Sequence, residues 1–386
     1  MRVTHIITRL IIGGAQENTI ATVLGLAKKP GVDVDLIAGT TTGPEGSLEN
    51  LIDKNRLTIV PELVRSVHPL KDWKTLMRLT EILRATRPQI VHTHSGKAGI
   101  LGRLAARRAH VPIIIHTIHG PSFGGFQGRM ANLIFKTAER IAAKSTTHFI
   151  SVAQAMTHQY LAARISTPQQ YTRIFSGFPL EPFLAAKNDP DLRAELGIKP
   201  DDFVVGKIAR LFTLKGHDDL LDIAPRLVKK HPQIKFLLIG GGPWRERLQN
   251  RAREAELENI FIFTGLIPPA QIPRTIGIMD ALVHLSRREG LPRALSQSLA
   301  AARPVIAYDC DGAGEVCRNG GTGFLIPPGD LTLLKQRLIQ LAADAHLRLT
   351  LGQNGQAFVK ENFSAAAMVD TIYDLYWKHL NTAPKF

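Results

Sequence analysis

The chain is poor in cysteine and aromatic residues and has no long apolar run. Its 386 residues include two cysteines, Cys310 and Cys317, which excludes a disulfide framework and indicates a reducing compartment. No uninterrupted apolar stretch approaches the roughly 18–20 residues that cross a bilayer. The start of the chain lacks the apolar core and cleavage site of a signal peptide, and no short repeats indicate a solenoid. We therefore expect a cytoplasmic protein.

Positive charge is in excess and unevenly distributed. The chain has 48 Lys+Arg against 33 Asp+Glu, a net charge of +15. Residues 1–180 hold 22 basic and 10 acidic side chains, whereas residues 181–386 hold 26 and 23. This asymmetry indicates a polyanionic partner for the first half, either nucleic acid or an anionic membrane surface. A cationic surface that serves only solubility explains the charge equally well.

Short apolar runs alternate with longer amphipathic stretches, a pattern typical of parallel sheets covered by helices on both sides. The runs predict ten strands, at 3–7, 34–38, 90–93, 113–116, 148–152, 203–206, 236–239, 260–263, 281–284 and 304–307. The proline-rich segment 177–182 interrupts the pattern after the fifth run. We predict α/β domains over 1–180 and 181–363, followed by a helix at about 364–380.

Glycine turns follow several predicted strands, where open α/β sheets bind ligands. Gly13 and Gly14 open the first helix, and helix N-termini favour anions or sugar hydroxyls. A plain tight turn explains this pair equally well. Gly241, and Thr264 with Gly265, follow two strands of the second half, where backbone groups could contact a nucleobase.

Four histidines end two neighbouring strands of the first half, namely His92, His94, His116 and His119. We expect no metal site, because no carboxylate is near His92 and His94 in the sequence. His119 is placed to hydrogen-bond a ligand, although a structural role is the commoner one for a single histidine.

Charged residues after two strands of the second half indicate a diphosphate site. Arg210 and Lys215 flank a short loop that enters a helix, which suits a diphosphate. Glu289 precedes Gly290, Leu291 and Pro292 at the start of another helix. Backbone N–H groups there would contact phosphate, while Glu289 would accept sugar hydroxyls. Gln297, two turns later, could reach a ribose.

Together these segments resemble the family 4 glycosyltransferases over nearly the whole chain. The resemblance rests on Gly13 to Ala15, His119-Gly120, Arg210 with Lys215-Gly216, and Glu289-Gly290-x-Pro292. It implies the GT-B fold, two doubly wound Rossmann-like domains facing an interdomain cleft, with the last helix packing back on the first domain.

The resemblance also implies retaining transfer of a sugar from a nucleotide-sugar, without metal or other cofactor. It assigns Arg210 and Lys215 to the diphosphate, Glu289 and His119 to the donor sugar, and Gly290 to Pro292 to the phosphates. The family usually has glutamate where this chain has Gln297, which changes the expected ribose contact from an anion to an amide. We predict a UDP- or GDP-sugar as donor, and a lipid-linked or cell-envelope glycan acceptor of a lipopolysaccharide, capsule or exopolysaccharide.

The basic first half is expected to bind an anionic membrane, which would place the enzyme at the cytoplasmic face of the inner membrane. The segments 102–108 and 126–144 mix cations with apolar residues, as docking helices do. A GT-B epimerase or hydrolase of nucleotide-sugars is the alternative activity. Nucleic-acid binding is disfavoured, because no basic run is interleaved with aromatic residues.

Overall fold

The computed structural model describes residues 1–41 and 46–382. The chain forms two units, Met1–Phe178 together with the segment that begins at Ala365, and Pro179–Ser364. No helix in the described part of the chain combines the length and apolar character that a membrane span requires.

The first unit is built on a seven-stranded parallel sheet. Its strands and helices alternate along the chain as β1 (Arg2–Ile7), α1 (Gly14–Leu26), β2 (Asp33–Ala38), β3 (Leu57–Ile59), α2 (Pro69–Thr86), β4 (Ile90–His94), α3 (Gly96–Arg108), β5 (Ile113–Ile118), α4 (Arg129–Ala143), β6 (His148–Ser151), α5 (Gln154–Ala162) and β7 (Tyr171–Arg173). The strand order is β3-β2-β1-β4-β5-β6-β7. Alternate residues of a strand pack on opposite faces of the sheet. In β1, Val3 and Ile7 belong to the apolar core on one face, and Ile6 belongs to the core on the other face.

The second unit repeats the architecture around a six-stranded parallel sheet. Its elements are α6 (Glu181–Leu184), α7 (Pro190–Glu195), β8 (Phe203–Ile208), α8 (His217–Lys230), β9 (Ile234–Ile239), α9 (Arg245–Glu254), β10 (Phe261–Gly265), α10 (Ile272–Gly277), β11 (Ala281–His284), α11 (Arg293–Ala300), β12 (Val305–Tyr308), β13 (Gly323–Ile326), α12 (Leu331–Ala343) and α13 (Ala345–Asn362). The strand order is β10-β9-β8-β11-β12-β13, so β8 and β11 are neighbours although 72 residues separate their ends.

The last helix, α14 (Ala365–Thr382), belongs to the first unit and packs on α1. Its buried residues are Met368, Val369, Ile372, Leu375 and Tyr376. A Cβ at Gly25 of α1 would lie 2.6 Å from Val369 Cγ2, so glycine is required for this close approach.

The structure corrects two local predictions. Thr264 and Gly265 were predicted to follow a strand, but they are the last two residues of β10. The pairing of β10 with β9 shifts register between Phe263 and Gly265. The segment 102–108 is not a docking helix, because it lies in α3 with Arg103 fully buried against Glu139 of α4. Only Arg107 and Arg108 of that segment are exposed.

Candidate active site

Gly216 determines how closely the loop after β8 approaches the end of β11. Its φ is +64°, and a Cβ there would lie 2.3 Å from the carbonyl oxygen of Leu285. The next residue, His217, begins α8, and its Nε2 lies 3.0 Å from the carbonyl oxygen of Arg210. These contacts hold the loop with Lys215 beside the residues that follow β11.

Lys215 and Glu289 form an ion pair through Nζ and Oε1 at this strand edge. His284, the last residue of β11, places Nε2 3.2 Å from the same carboxylate oxygen. The Lys215 ammonium also donates to Ser286 Oγ at 3.2 Å, and the Glu289 N–H donates to Asp311 Oδ2 at 2.7 Å. The loop thus presents a fixed carboxylate with a cation beside it.

Glu289 is held in its ionised form. Burial would raise the pKa of this carboxyl, but the close approach of His284 Nε2 and the charge of Lys215 outweigh it and keep that pKa well below its usual value. The Glu289 side chain is 20% exposed, so it can still be reached by a ligand. An ionised carboxylate accepts hydrogen bonds and does not donate them, which suits sugar hydroxyls.

Arg210 lies on the surface of the same loop. Its side chain is exposed, with the guanidinium carbon 5.4 Å from the ring centroid of Phe212. The predicted pair of cations is therefore asymmetric, with Lys215 ion-paired at the strand edge and Arg210 in the exposed part of the loop.

The glycine turn after β9 brings three strand ends together. Leu211 donates its N–H to the carbonyl oxygen of Gly241 at 2.9 Å, and Gly240 donates to Gly265 at 2.9 Å. A Cβ at Gly242 would lie 2.3 Å from the Leu211 carbonyl oxygen, so a side chain there would separate the loops. Gly241 and Gly265 are thus placed at the same sheet edge as the loop after β8.

The segment that follows Glu289 leads directly into α11. Gly290 accepts a hydrogen bond from the Gly312 N–H at 3.1 Å, and Pro292 occupies the N-cap without a capping side chain. Leu291 lies between them and is half-buried, as is Gln297 within α11. A helix start without a side-chain cap offers backbone N–H groups to an anion.

In the first unit, the residues predicted to contact a ligand lie at the start of α1 and the end of β5. Gly13 is the N-cap of α1, and a Cβ at Gly14 would meet nothing within 4 Å. The space at that helix start is therefore open, and the fold itself does not require glycine at Gly14. His119 follows β5, is half-buried, and places Nε2 3.1 Å from His94 Nδ1.

Sequence patterns did not reveal two residues of this site. They are His284, whose Nε2 approaches Glu289, and Lys207, whose charge interacts with that of Glu289. Burial, with the charge of Lys215, lowers the pKa of Lys207 to about 7, and Asp219 and Glu289 act in the opposite direction. The sequence did contain a signal for Lys207, because a lysine inside an otherwise apolar strand is unusual and indicates a special role. His284 had no comparable signal, because its role depends on which loop lies beside β11.

Two family models cover most of the chain. The model for glycosyltransferase family 4 matches residues 12–181, and the model for glycosyl transferases group 1 matches residues 188–358. The chain is a glycosyltransferase whose two halves match these two models. The resemblance deduced from the sequence motifs is confirmed.

Curated relatives of this glycosyltransferase span nearly its full length. It is 29% identical over 97% of its chain to a UDP-Gal:alpha-D-GlcNAc-diphosphoundecaprenol alpha-1,3-galactosyltransferase of Escherichia coli, 96% of which is covered. It is 23% identical to the capsular polysaccharide biosynthesis glycosyltransferase CapM of Staphylococcus aureus, with 90% of each chain covered.

Solved structures confirm the fold of the glycosyltransferase. Anabaena HepE in complex with UDP-glucose matches with a TM-score of 0.80 at 20% identity, covering 98% of this chain and all of the other. The lipopolysaccharide outer core galactosyltransferase WaaB matches with a TM-score of 0.72 at 16% identity, covering 98% and 100%. The predicted GT-B architecture of two Rossmann-like domains is therefore confirmed.

Proposed function

We propose that this glycosyltransferase moves a sugar from a UDP- or GDP-sugar to a lipid-linked or cell-envelope glycan, with retention of anomeric configuration and without a metal. The observation that carries the proposal is the Lys215–Glu289 pair beside the uncapped start of α11. It puts a cation, a sugar-hydroxyl acceptor and phosphate-binding N–H groups at one strand edge.

The diphosphate leaving group gains negative charge as the bond to the anomeric carbon breaks. Lys215, Arg210 and the N–H groups at the start of α11 would stabilise that charge, which is the role a metal ion has in other transferases. The resemblance to the family supports the same assignment. We therefore expect full activity in the presence of a chelator.

The state of Glu289 favours front-face substitution over a covalent intermediate. This carboxylate is paired with Lys215 and His284, which makes it a weak nucleophile and a good acceptor for the donor-sugar hydroxyls. The leaving phosphate would then take the proton of the incoming acceptor hydroxyl on the same face of the sugar.

Uridine donors are the first candidates, because the E. coli relative is named for UDP-Gal and the HepE structure contains UDP-glucose. A thermal-shift panel of UDP-galactose, UDP-N-acetylglucosamine, UDP-glucose and GDP-mannose in EDTA tests this. We expect one donor to raise the melting temperature, and Lys215→Met to abolish the shift. Lys229→Met, at the exposed end of α8, is the matched control. No shift with any donor would contradict the proposal.

The acceptor side of the proposal includes an anionic membrane surface, supported by helix α4. Its exposed apolar residues are Met130, Leu133, Ile134 and Ile141. Arg129 and Arg140 are exposed on the same helix, whereas its one acidic residue, Glu139, is fully buried. The exposed charge of α4 is therefore all positive, which suits anionic lipid headgroups around an inserted apolar face.

Flotation with lipid vesicles tests the membrane surface. We expect co-flotation with vesicles containing phosphatidylglycerol but not with pure phosphatidylcholine, and loss of binding in the double variant Leu133→Ser, Ile134→Ser. The control is Leu349→Ser, an equally exposed leucine of α13. Equal binding of the double variant and the control would contradict this part of the proposal.

A further inference from the structure

A continuous chain of buried hydrogen bonds runs through the first unit to His119. It begins at Thr117 of β5 and passes through side chains of β4, α14 and β1 in the order Thr117, His92, Tyr376, His5, His94 and His119. Thr117 Oγ1 lies 2.6 Å from His92 Nε2, and His92 Nδ1 lies 2.5 Å from Tyr376 Oη. Tyr376 Oη lies 3.3 Å from His5 Nε2. His5 Nδ1 lies 2.9 Å from His94 Nε2, and His94 Nδ1 lies 3.1 Å from His119 Nε2. The first five of these side chains are at most 3% exposed.

Each ring in the chain is neutral near pH 7. Burial lowers the pKa of His5 to about 3 and that of His119 to about 4, and it lowers the pKa values of His92 and His94 as well. Burial raises the pKa of Tyr376, which keeps its hydroxyl protonated. A neutral imidazole has one N–H donor and one acceptor nitrogen, so every hydrogen bond in the chain must point in the same direction.

The hydroxyl of Thr117 decides that direction. Among the described residues, His92 Nε2 is its one hydrogen-bond partner. If the chain ran from His119 to Thr117, the buried hydroxyl hydrogen would have no acceptor, which is costly. If Thr117 donates to His92, every buried donor has an acceptor, and the last N–H is on His119 Nδ1.

A metal ion does not fit this cluster. Ligand nitrogens of His5, His92 and His94 lie within 4.8 Å of one another. All six ring nitrogens of these three residues already have a hydrogen-bond partner in the chain, and the two facing nitrogens of His5 and His94 are 2.9 Å apart. The hydrogen-bonded chain of neutral imidazoles uses all six of these nitrogens.

We infer that Thr117, His92, Tyr376, His5 and His94 are positioning residues that hold His119 as the Nδ1–H tautomer, so that it donates a hydrogen bond to an oxygen of the sugar donor. This inference rests on the proposed function, together with the role of His119 at the donor sugar that the family resemblance implies. A neutral donor at this position recognises a phosphate or hydroxyl oxygen without adding a charge. In the opposite tautomer, Nδ1 would repel a phosphate oxygen, which has no proton to donate, and a sugar hydroxyl would have to donate where it otherwise accepts.

The tautomer of His119 can be determined in the unliganded protein, independently of any activity. We propose long-range 1H–15N NMR of protein labelled with 15N-histidine, with His119 assigned by His119→Asn. The expected signal is a protonated Nδ1 and an unprotonated Nε2. An Nε2–H tautomer, or a stoichiometric metal in the purified protein, would overturn the inference. Absence of transfer with an intact Nδ1–H signal would instead contradict the proposed function alone.

Two variants test the chain itself. Thr117→Val removes the donor that sets the direction, and Tyr376→Phe removes the central hydroxyl. Each should shift His119 toward Nε2–H and lower kcat/KM for the donor by about tenfold, the effect of one hydrogen bond.

The matched controls lose a hydroxyl that is not part of the chain. Thr93→Val removes a buried hydroxyl that contacts His116, and Tyr373→Phe removes one from the same helix as Tyr376. Neither should move the His119 signal. An unchanged His119 signal in a folded Thr117→Val protein would contradict the inference.

Discussion

Glu289 shows how a single carboxylate is prepared for binding before any ligand arrives. Lys215, His284 and the backbone contact to Asp311 fix its charge and its position. The sequence motif predicted Glu289 and Lys215 as site residues, but their pairing depends on β8 and β11 being neighbours, and the order of strands is not visible in the motif.

Replacement of Glu289 should affect turnover more than folding. Glu289→Gln keeps the size of the side chain but removes the negative charge that pairs with Lys215. We expect kcat/KM to fall about 100- to 1,000-fold, the usual effect of losing one group that contacts the reacting centre. Steady-state kinetics, with circular dichroism as a folding check, measure this. Glu258→Gln, at an exposed position, should retain normal kinetics.

Gly216 is a residue whose identity the backbone dictates. Gly216→Ala adds a Cβ at a positive φ and brings it 2.3 Å from the Leu285 carbonyl oxygen. Gly197 has a similar φ of +68° but nothing within 4 Å, so Gly197→Ala isolates the cost of φ alone, about 1 kcal/mol. Urea unfolding should show a clearly larger loss for Gly216→Ala. Equal losses would mean that the loop relaxes freely.

At the scale of elements, α4 is held by a buried ion pair while its outer face stays exposed. Arg103 Nη2 lies 2.6 Å from Glu139 Oε2, both side chains are fully buried, and Ser122 donates to the second carboxylate oxygen at 3.0 Å. The sequence predicts that the segments 102–108 and 126–144 are both docking helices, because they mix cations with apolar residues. It could not reveal that Arg103 has its partner in the next helix, 36 residues away.

Breaking this pair should destabilise the first unit strongly. Glu139→Gln leaves the Arg103 guanidinium buried without a counter-charge, which costs about 3–5 kcal/mol. The exposed pair of Arg78 and Glu81 provides the control, because Glu81→Gln should change stability by less than about 1 kcal/mol. Chemical denaturation of each variant measures the difference. Comparable losses in the two variants would show that the buried pair is not a structural anchor.

Apolar runs predicted ten of the thirteen strands formed by residues 1–41 and 46–382, since buried strands of parallel sheets are nearly all apolar. The three missed strands, β3, β7 and β13, are at the sheet edges and contain only three or four residues. The three-residue runs of β3 and β7 do not differ from loop sequence. The run of β13 is as long as those of β6, β11 and β12, so it could have been recognised. The histidine chain was also beyond prediction, because it joins β1, β4, β5 and α14, and Tyr376 lies 371 positions from His5.

At the scale of the whole molecule, the buried histidines make the protein sensitive to acid. Their folded pKa values lie below 6.5, so the unfolded chain binds more protons once the pH falls below that value. The free energy of unfolding is therefore greatest well above pH 6.5 and decreases progressively as the pH falls through 6.5 toward the folded pKa values. Between pH 6.5 and its folded pKa, each such histidine lowers the free energy of unfolding by about 1.4 kcal/mol for every pH unit of acidification.

Melting temperatures recorded from pH 8 to pH 4 measure this dependence. We expect a plateau above pH 7 and a steep decrease below pH 6. A melting temperature that stays constant down to pH 4.5 would contradict the neutral, buried state of the histidines.

The central claim is that the Lys215–Glu289 site transfers a sugar with retention and without a metal. Its most direct test is 1H NMR of the product formed from an α-configured UDP-sugar and a polyprenyl-diphosphate-linked sugar in EDTA. We expect an α-linked product with the wild-type protein and at most about one hundredth of that rate with Glu289→Gln. A β-linked product, a requirement for added metal, or undiminished activity of Glu289→Gln would contradict it.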